Sequence, residues 1–136
     1  MMRIVEVVPY APEWQETFEV ESQSIADALG DDVVDIHHIG STAIPKIYAK
    51  PIIDLLVVVK DIVEVDAQNS AMQVIGYKAK GEYGIPERRY FCKSSPAGAR
   101  THHAHVYEAG SSQVVRHLAF RDYMIAHPEE AQRYSE

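Results

Sequence analysis

The chain has 136 residues with 13 basic and 20 acidic side chains, which give a formal net charge of −7. The acidic balance argues against an extended nucleic-acid surface, because such a surface needs clustered Lys and Arg. The sequence also has no apolar run of the ~20 residues that a membrane helix needs, and its one cysteine, Cys92, excludes an internal disulfide. We therefore expect one domain over residues 1–136, located in the cytoplasm, with a small ligand.

The first thirty residues predict a strand and a helix. Arg3–Val8 has the character of a short strand that ends at Pro9. Pro12 then suits the first turn of a helix that ends at Gly30. The apolar residues Trp14, Phe18, Ile25 and Leu29 recur on one side of that helix, which predicts its core face.

A second strand is predicted at residues 33–39. Its alternation places Val34, Ile36 and His38 on one face, beside apolar neighbours. For His38 this position favours a partly buried histidine that is held by backbone carbonyls.

The apolar run Ile52–Val59 contains a single acid, Asp54, and predicts a buried strand. A charge in such a strand costs several kcal/mol unless a metal, a cation or hydrogen bonds compensate it. Asp54 is therefore the most informative residue of the sequence. The alternative to a functional site is a buried ion pair with Lys50 or an arginine.

Gly40-Ser41-Thr42 forms the turn between these two strands. Successive backbone N–H groups in such a turn, together with hydroxyls, can bind an anion. The chain then returns through Pro45 and Pro51 to Asp54. The acid and a bound phosphate can therefore face one cleft.

The second half of the chain predicts helix, hairpin and helix in turn. Asp61 and Glu64 suggest a capping box for one helix that continues to Gly76. Tyr77–Pro86 reads as a hairpin or an irregular loop. The remaining elements are an antiparallel pair at 88–93 and 100–107, a helix from Ser111 with Val114, Leu118 and Ile125 on its apolar stripe, and a helical turn at 128–130.

Six sequence blocks, in this order, resemble the GrpB-like family of the nucleotidyltransferase superfamily. They lie at residues 38–42, 49–54, 81–86, 88–91, 102–106 and 117–123. The resemblance implies an α/β (α+β) fold with a small mixed sheet of four to six strands and helices packed mainly on one face. It also suggests that a C-terminal helix is missing.

The same resemblance implies a catalytic site at Asp54, with a divalent metal and a nucleotide. The superfamily carries an Asp-x-Asp pair, but Leu56 stands at the second acid. Its third acid comes from a later strand, where this chain offers His103 and His105. A metal site of Asp54, His103 and His105 suits Mn²⁺ or Zn²⁺ better than Mg²⁺; Glu82 and Glu108 are the other acids considered.

A second group of candidates would bind phosphate. It comprises Gly40, Ser41, Thr42, Lys50, Arg88, Arg89 and Arg100. Arg88 and Arg89 are neighbours on a strand and so point to opposite faces, which means that at least one of them is a solvated charge.

Three functions follow from these residues. The first is transfer of a nucleotidyl or phosphoryl group to an acceptor, with metal at Asp54. The second is a non-catalytic module that binds a nucleotide or another phosphate-bearing small molecule, which Leu56 favours. The third is a transition-metal site based on the histidines at 102–105.

Overall fold

The computed structural model describes residues 7–135. Most of the expected first strand lies outside these residues, but Val8 forms an isolated antiparallel bridge with Ala49. The elements in chain order are α1 (Glu13–Leu29), β1 (Val33–Ile39), β2 (Ile53–Val59), α2 (Ile62–Asp66), α3 (Asn69–Val74), β3 (Lys78–Ala79), β4 (Arg89–Ser94), β5 (Arg100–Glu108), α4 (Ser112–Ala126) and α5 (Pro128–Ser135). No helix in this part of the chain is long and apolar enough to cross a membrane.

The strands form one five-stranded mixed sheet in the order β1-β2-β5-β4-β3. β2 pairs antiparallel with β1 and parallel with β5, and β4 pairs antiparallel with β5 and β3. This confirms the predicted fold class and strand number. The apolar run at 52–59 becomes β2, which lies second in the sheet with a neighbour on each side.

The main core lies between the sheet and the helices α1, α2 and α3. Alternate residues of β2, beginning with Ile53 and Leu55, point into it and are almost fully buried. Trp14 also packs there, which supports its structural interpretation. Other apolar residues that are buried in a core cluster or packed against one are Phe18, Ile25, Leu29, Ile36, Val57, Met72, Phe91, Val106 and Leu118.

The opposite face of the sheet is only partly covered. Leu56 and Tyr107 point to this face and pack with Ile39, and α4 covers them through Val114 and Leu118. The prediction for Ile125 was wrong, because its side chain is 44% exposed. α4 leaves the Asp54 end of this face to the candidate site.

Two predictions in β1 and the following helix were also wrong in detail. A register shift between Val33 and Asp35 leaves Val34 exposed, so that Val33 packs on the core. The helix expected from Asp61 to Gly76 is divided into α2 and α3 at Ala67 and Gln68. Asp61 is the N-cap, as expected, and its side chain accepts a hydrogen bond from the Val63 N–H.

The segment after α3 is a hairpin. β3 pairs with β4, and the pairing continues where the Lys80 N–H donates to the Tyr90 carbonyl and the Tyr90 N–H donates to the Gly81 carbonyl. Residues 81–87 then form its turn. The helical turn expected at 128–130 is the start of α5, which packs through Ala131 against Ile44 and Ile47.

Candidate metal and phosphate site

Asp54 lies near the start of β2, on the face opposite α1. It is paired with Ile39 of β1 and with His103 of β5. Its side chain is 23% exposed, so the carboxylate sits at the edge between protein and solvent. This position explains how one acid is tolerated in an otherwise apolar strand.

The parallel register of β2 and β5 brings two histidines to Asp54. His103 and His105 are two residues apart and so share a face of the sheet. His103 Nδ1 and His105 Nε2 each lie 3.2 Å from Asp54 Oδ1, and the three atoms lie within 4.8 Å of one another. The structure thus brings together the three proposed metal ligands, whose binding of metal remains a prediction.

The two histidines are also the groups that compensate the Asp54 charge. Burial raises the pKa of Asp54, but hydrogen bonds and charge interactions with His103 and His105 lower it by more, so the net pKa is below its usual value. Within residues 7–135 the ion pairs of Asp54 involve these histidines and neither Lys50 nor an arginine. The alternative of a buried Asp54–Lys50 or Asp54–arginine pair was therefore wrong.

Gly40 forms the wall of the site next to Asp54. Its φ of 75° is in a region that favours glycine. A Cβ atom at this position would lie 2.5 Å from Asp54 Oδ2, which is far inside van der Waals contact. Glycine is therefore required here both for the turn and for the close approach of the carboxylate.

A cleft of about 490 Å³ opens beside Asp54. Ser41 and Lys50 line it from the loop between β1 and β2, and Asp54 and His103 line it from the sheet. The exposed side chain of Lys50 gives the cleft a positive charge next to the carboxylate. Ser41 thus lies in one cleft with Lys50 and Asp54, and Gly40 lies next to Asp54.

Thr42 does not contribute its hydroxyl to this cleft, contrary to the prediction. The Thr42 side chain is buried and its hydroxyl donates to the Ile52 carbonyl at 3.0 Å. That hydroxyl has only one hydrogen, so it accepts from His38 Nε2, which lies 2.9 Å away. His38 is therefore held by a hydroxyl, and by stacking on Phe18, where backbone carbonyls were expected.

The three arginines predicted for phosphate have different positions. Arg88 is buried on the Asp54 face, where Nη1 lies 3.3 Å from His105 Nδ1. Arg100 donates from Nη1 to the Tyr90 hydroxyl at 2.8 Å. Arg89 points the other way and makes two hydrogen bonds to the carboxylate of Asp66, so it does not lie with Ser41 and Lys50 at the cleft.

The other two acids are also engaged away from the cluster. Glu82 accepts a hydrogen bond from the Glu87 N–H inside the 81–87 turn. Glu108, at the far end of β5, accepts from the Ile62 N–H at the start of α2. Neither acid lies among the candidate metal ligands of the described residues.

Two residues of the site were missed from the sequence. The Tyr90 ring lies 5.7 Å from the His103 ring and 5.4 Å from the His105 ring, and His117 of α4 lies 6.1 Å from His105 by ring centroids. Alternation along the strand places Tyr90 on the same face as Arg88, and this was the sequence signal that could have identified Tyr90 as a site residue. His117 comes from a helix, and a sequence pattern does not show which strand that helix covers.

Two of the three distances between the donor atoms suit a divalent transition metal. Metal bonds to nitrogen and oxygen of about 2.0–2.2 Å place neighbouring ligand atoms roughly 3–3.5 Å apart. Each histidine nitrogen is 3.2 Å from Asp54 Oδ1, within that range. Two imidazoles with one carboxylate favour Zn²⁺ or Mn²⁺ over Mg²⁺, which prefers oxygen ligands.

Comparison with known proteins places the chain in a family. The family model described as GrpB protein matches residues 4–136. The chain belongs to the GrpB family. It is 46% identical over 133 residues to the UPF0157 protein YqkA of Bacillus subtilis, and 33% identical over 131 residues to the glutamate-rich protein GrpB of Alkalihalophilus pseudofirmus.

The chain covers only part of several relatives in this family. These matches include 98% of this chain but 38% of YqkA, and 94% of this chain with 75% of the Alkalihalophilus protein. A third relative, PA4798 of Pseudomonas aeruginosa, is 36% identical and is covered over 54% of its length. An activity of the full-length relatives can therefore be extended to this chain only as a proposal.

Solved structures agree with the family and add a distant relation in fold. The crystal structure of the conserved protein GrpB from Enterococcus faecalis matches with a TM-score of 0.91 and 43% identity, over 96% of this chain and 78% of that one. The structure of Cid1 with the UTP analog UMPNPP matches with a TM-score of 0.55 and 9% identity, over 86% of this chain and 37% of that one. This chain thus has a nucleotidyltransferase-like fold.

Proposed function

We propose that this GrpB chain binds a nucleotide or another phosphate-bearing small molecule in the cleft beside Asp54 and transfers a nucleotidyl or phosphoryl group to an acceptor. Gly40 and Ser41 would contact the phosphate, with Lys50 at the rim. Asp54 would hold a divalent metal with His103 and His105. The observation that carries this proposal is the cluster of one carboxylate and two imidazoles beside the cleft, with Asp54 and His103 in the cleft wall.

Phosphate transfer depends on position and charge more than on a covalent protein group. When bound, the metal would neutralise charge on the phosphate oxygens. Lys50 would orient the phosphate. Because Gly40 has no side chain, a phosphate would be able to approach Asp54 on this side. The acceptor oxygen would bond to phosphorus while the bond to the leaving phosphate breaks, and the acceptor proton would pass to solvent.

The solved structures support the ligand class by analogy. One Cid1 structure carries a UTP analog, and a second neighbour is a cytoplasmic RNA terminal U-transferase. Both share only the fold with this chain, at 9% and 12% identity. We therefore extend to this chain the nucleotide class, without a choice of base or acceptor.

One observation favours a second candidate, a module that binds the same ligand without transfer. Leu56 occupies the second acid position, is fully buried and packs with Ile39 and Tyr107. No carboxylate can be presented there without opening this packing. The chain therefore holds one acid at the place where the superfamily uses two.

Thermal unfolding of the metal-free chain with added ligands tests the binding. ATP, UTP, pyrophosphate and sulfate are compared with and without Zn²⁺, Mn²⁺ or Mg²⁺. A ligand at ten times its Kd should add about 1.4 kcal/mol and raise the melting temperature by about 5 °C. Absence of any shift under all conditions rejects the site. Labelled nucleotide then separates transfer, which moves phosphorus to an acceptor, from binding alone.

Asp54→Asn tests the role of the carboxylate. The asparagine oxygen can still accept hydrogen bonds from His103 and His105, so we expect the metal-free stability to change by less than about 1 kcal/mol. Metal-dependent ligand binding should be lost, because a neutral amide is a poor metal ligand. Urea melts with equal m-values provide the stability comparison. Unchanged metal-dependent binding in this variant would contradict the proposal.

A further inference from the structure

Arg88 is held rigidly against His105. Its guanidinium donates from Nε to the Glu82 carbonyl at 3.2 Å and from Nη2 to the Tyr83 carbonyl at 3.0 Å. It also lies 4.8 Å from the centre of the Tyr90 ring. With the side chain only 6% exposed, these contacts fix the direction of Nη1, which lies 3.3 Å from His105 Nδ1.

This contact determines where the His105 proton lies. A guanidinium has only donors, so His105 Nδ1 must be the acceptor and carries no hydrogen. A neutral imidazole has one N–H, which is then on Nε2. His105 Nε2 lies 3.2 Å from Asp54 Oδ1, so it donates its hydrogen to the carboxylate.

We propose that Arg88 is a positioning residue that fixes the Nε2–H tautomer of His105, so that His105 holds Asp54 by a hydrogen bond and does not ligate metal. The inference deepens the proposed function, on which its metal part rests, and it corrects the ligand set given there by removing His105. The protein ligands of the metal then reduce to Asp54 and His103, and the ligand phosphates and water complete the coordination.

His103 differs from His105 in this respect. Its Nδ1 faces Asp54, and its Nε2 is buried without a hydrogen-bond partner among residues 7–135. No donor therefore opposes a tautomer with the lone pair on Nδ1. A metal-bound histidine usually donates its second N–H to an acceptor. Neither histidine has such an acceptor among residues 7–135, but only His105 has a donor, Arg88, at that nitrogen.

The tautomer can be measured directly in the metal-free wild type. Long-range ¹⁵N–¹H correlation spectra of labelled protein distinguish a protonated ring nitrogen from an unprotonated one. We expect His105 to show hydrogen on Nε2 and a free lone pair on Nδ1. A dominant Nδ1–H form of His105 overturns the proposal, whatever the protein binds.

Zn²⁺ affinity, measured by competition with a chromophoric chelator, gives the second test. Arg88→Gln supplies an oxygen that accepts from Nδ1–H, which frees Nε2 as a ligand and should tighten Zn²⁺ binding about tenfold. Arg88→Lys, which still has only donors, should stay within about threefold of wild type. His105→Asn should change the wild-type affinity by less than about threefold and should abolish the gain in Arg88→Gln.

The outcomes separate this inference from the proposed function. Loss of tenfold or more in Zn²⁺ affinity on His105→Asn in the wild type would show that His105 is a ligand and reject the inference. Absence of Zn²⁺ binding with the expected His105 tautomer rejects the metal part of the function and leaves the assignment of Arg88 intact. If Arg88→Gln fails to fold, the wild-type spectrum and His105→Asn still decide.

Discussion

The two faces of the sheet treat histidine in opposite ways. On the face covered by α1, His38 stacks on Phe18 with ring centroids 4.9 Å apart, and His102 contacts Tyr77. Burial lowers the pKa of both histidines. On the open face, His103 and His105 remain partly exposed and share the Asp54 carboxylate. The face under α1 thus buries neutral histidine rings in the core, whereas on the open face histidine rings hold the charged Asp54 carboxylate.

The difference comes from alternation in β5 and from uneven helix coverage. Adjacent residues of β5, such as His102 and His103, point to opposite faces. α1, α2 and α3 close the first face, whereas α4 closes only the Leu56 end of the second. Function in this fold is therefore expected at the uncovered end of the second face, around Asp54.

Leu56→Asp gives the largest expected effect, because it places an acid in the covered part of the second face. Leu56 is fully buried among Ile39, Tyr107 and Leu118. An unpaired carboxylate there should destabilise the chain by about 4 kcal/mol or more. Urea denaturation measures the loss, and Leu56→Met, which conserves volume, should cost less than about 1.5 kcal/mol. Near wild-type stability with added metal affinity would show that this position can still serve as the second acid.

Gly40→Ala tests the close approach of Gly40 to the Asp54 carboxylate on the second face of the sheet. Gly30 has a similar φ, 71° against 75°, but has no atom within 4 Å of an added Cβ. Backbone strain of about 1–3 kcal/mol should therefore appear in both Gly30→Ala and Gly40→Ala. Gly40→Ala should cost at least about 1 kcal/mol more, because its Cβ meets Asp54 Oδ2.

A control isolates the additional destabilisation expected for Gly40→Ala over Gly30→Ala. In an Asp54→Ala background Oδ2 is absent, so the difference between the two glycine variants should shrink. Equal unfolding free energies for Gly30→Ala and Gly40→Ala in the wild-type background would contradict the close contact.

Much of this fold is predictable because the deciding signals are local. The apolar run at β2, the helix face of Trp14 and the cap at Asp61 each depend on residues close in sequence. Predictions failed where one extra residue or a break intervened. The bulge at Val34 and the division of the helix after Asp66 change no hydrophobic count, so the pattern alone does not show them.

The site was harder to predict, because it depends on strand register and on which of two adjacent side chains faces the site. Asp54 was identifiable as an acid in an apolar strand, and the two histidines by their spacing on one face. Which of the two arginines faces the site depends on the pairing of β4 with β5, and Arg89, on the other face, pairs with Asp66 of α2. The hydroxyl of Thr42 was likewise engaged by His38 and Ile52, which no short motif indicates.

A smaller effect concerns pH and the covered face. Burial lowers the pKa of His38 from its usual 6.5 to about 4, although Asp54 opposes this and Arg121 reinforces it. Between these values the unfolded chain binds more protons than the folded chain, so stability should rise with pH from 4 to 6.5 and be complete above 6.5. The contribution of His38 is at most about 3 kcal/mol.

His38→Gln removes this titration and can keep a donor for Thr42. The difference in unfolding free energy between wild type and variant should therefore depend on pH only within that window. Parallel curves for the two proteins from pH 4 to 6.5 would show that His38 is not kept neutral by the fold. His102 and His117, whose pKa values burial also lowers, contribute equally to both curves.

The smallest expected effect compares two cations at opposite positions. Arg89 is paired with Asp66, which is about half exposed, and such surface pairs contribute about 0–1 kcal/mol. Arg89→Ala should therefore cost less than about 1 kcal/mol and leave phosphate binding unchanged.

Lys50 lines the cleft with Ser41 and Asp54, so Lys50→Ala should weaken binding of pyrophosphate or a nucleotide several-fold at equal stability. Titration of both variants at two salt concentrations checks this, since the Lys50 contribution is electrostatic and should decrease at high salt. Equal losses in the two variants would mean that net charge, and not the cleft, governs anion binding.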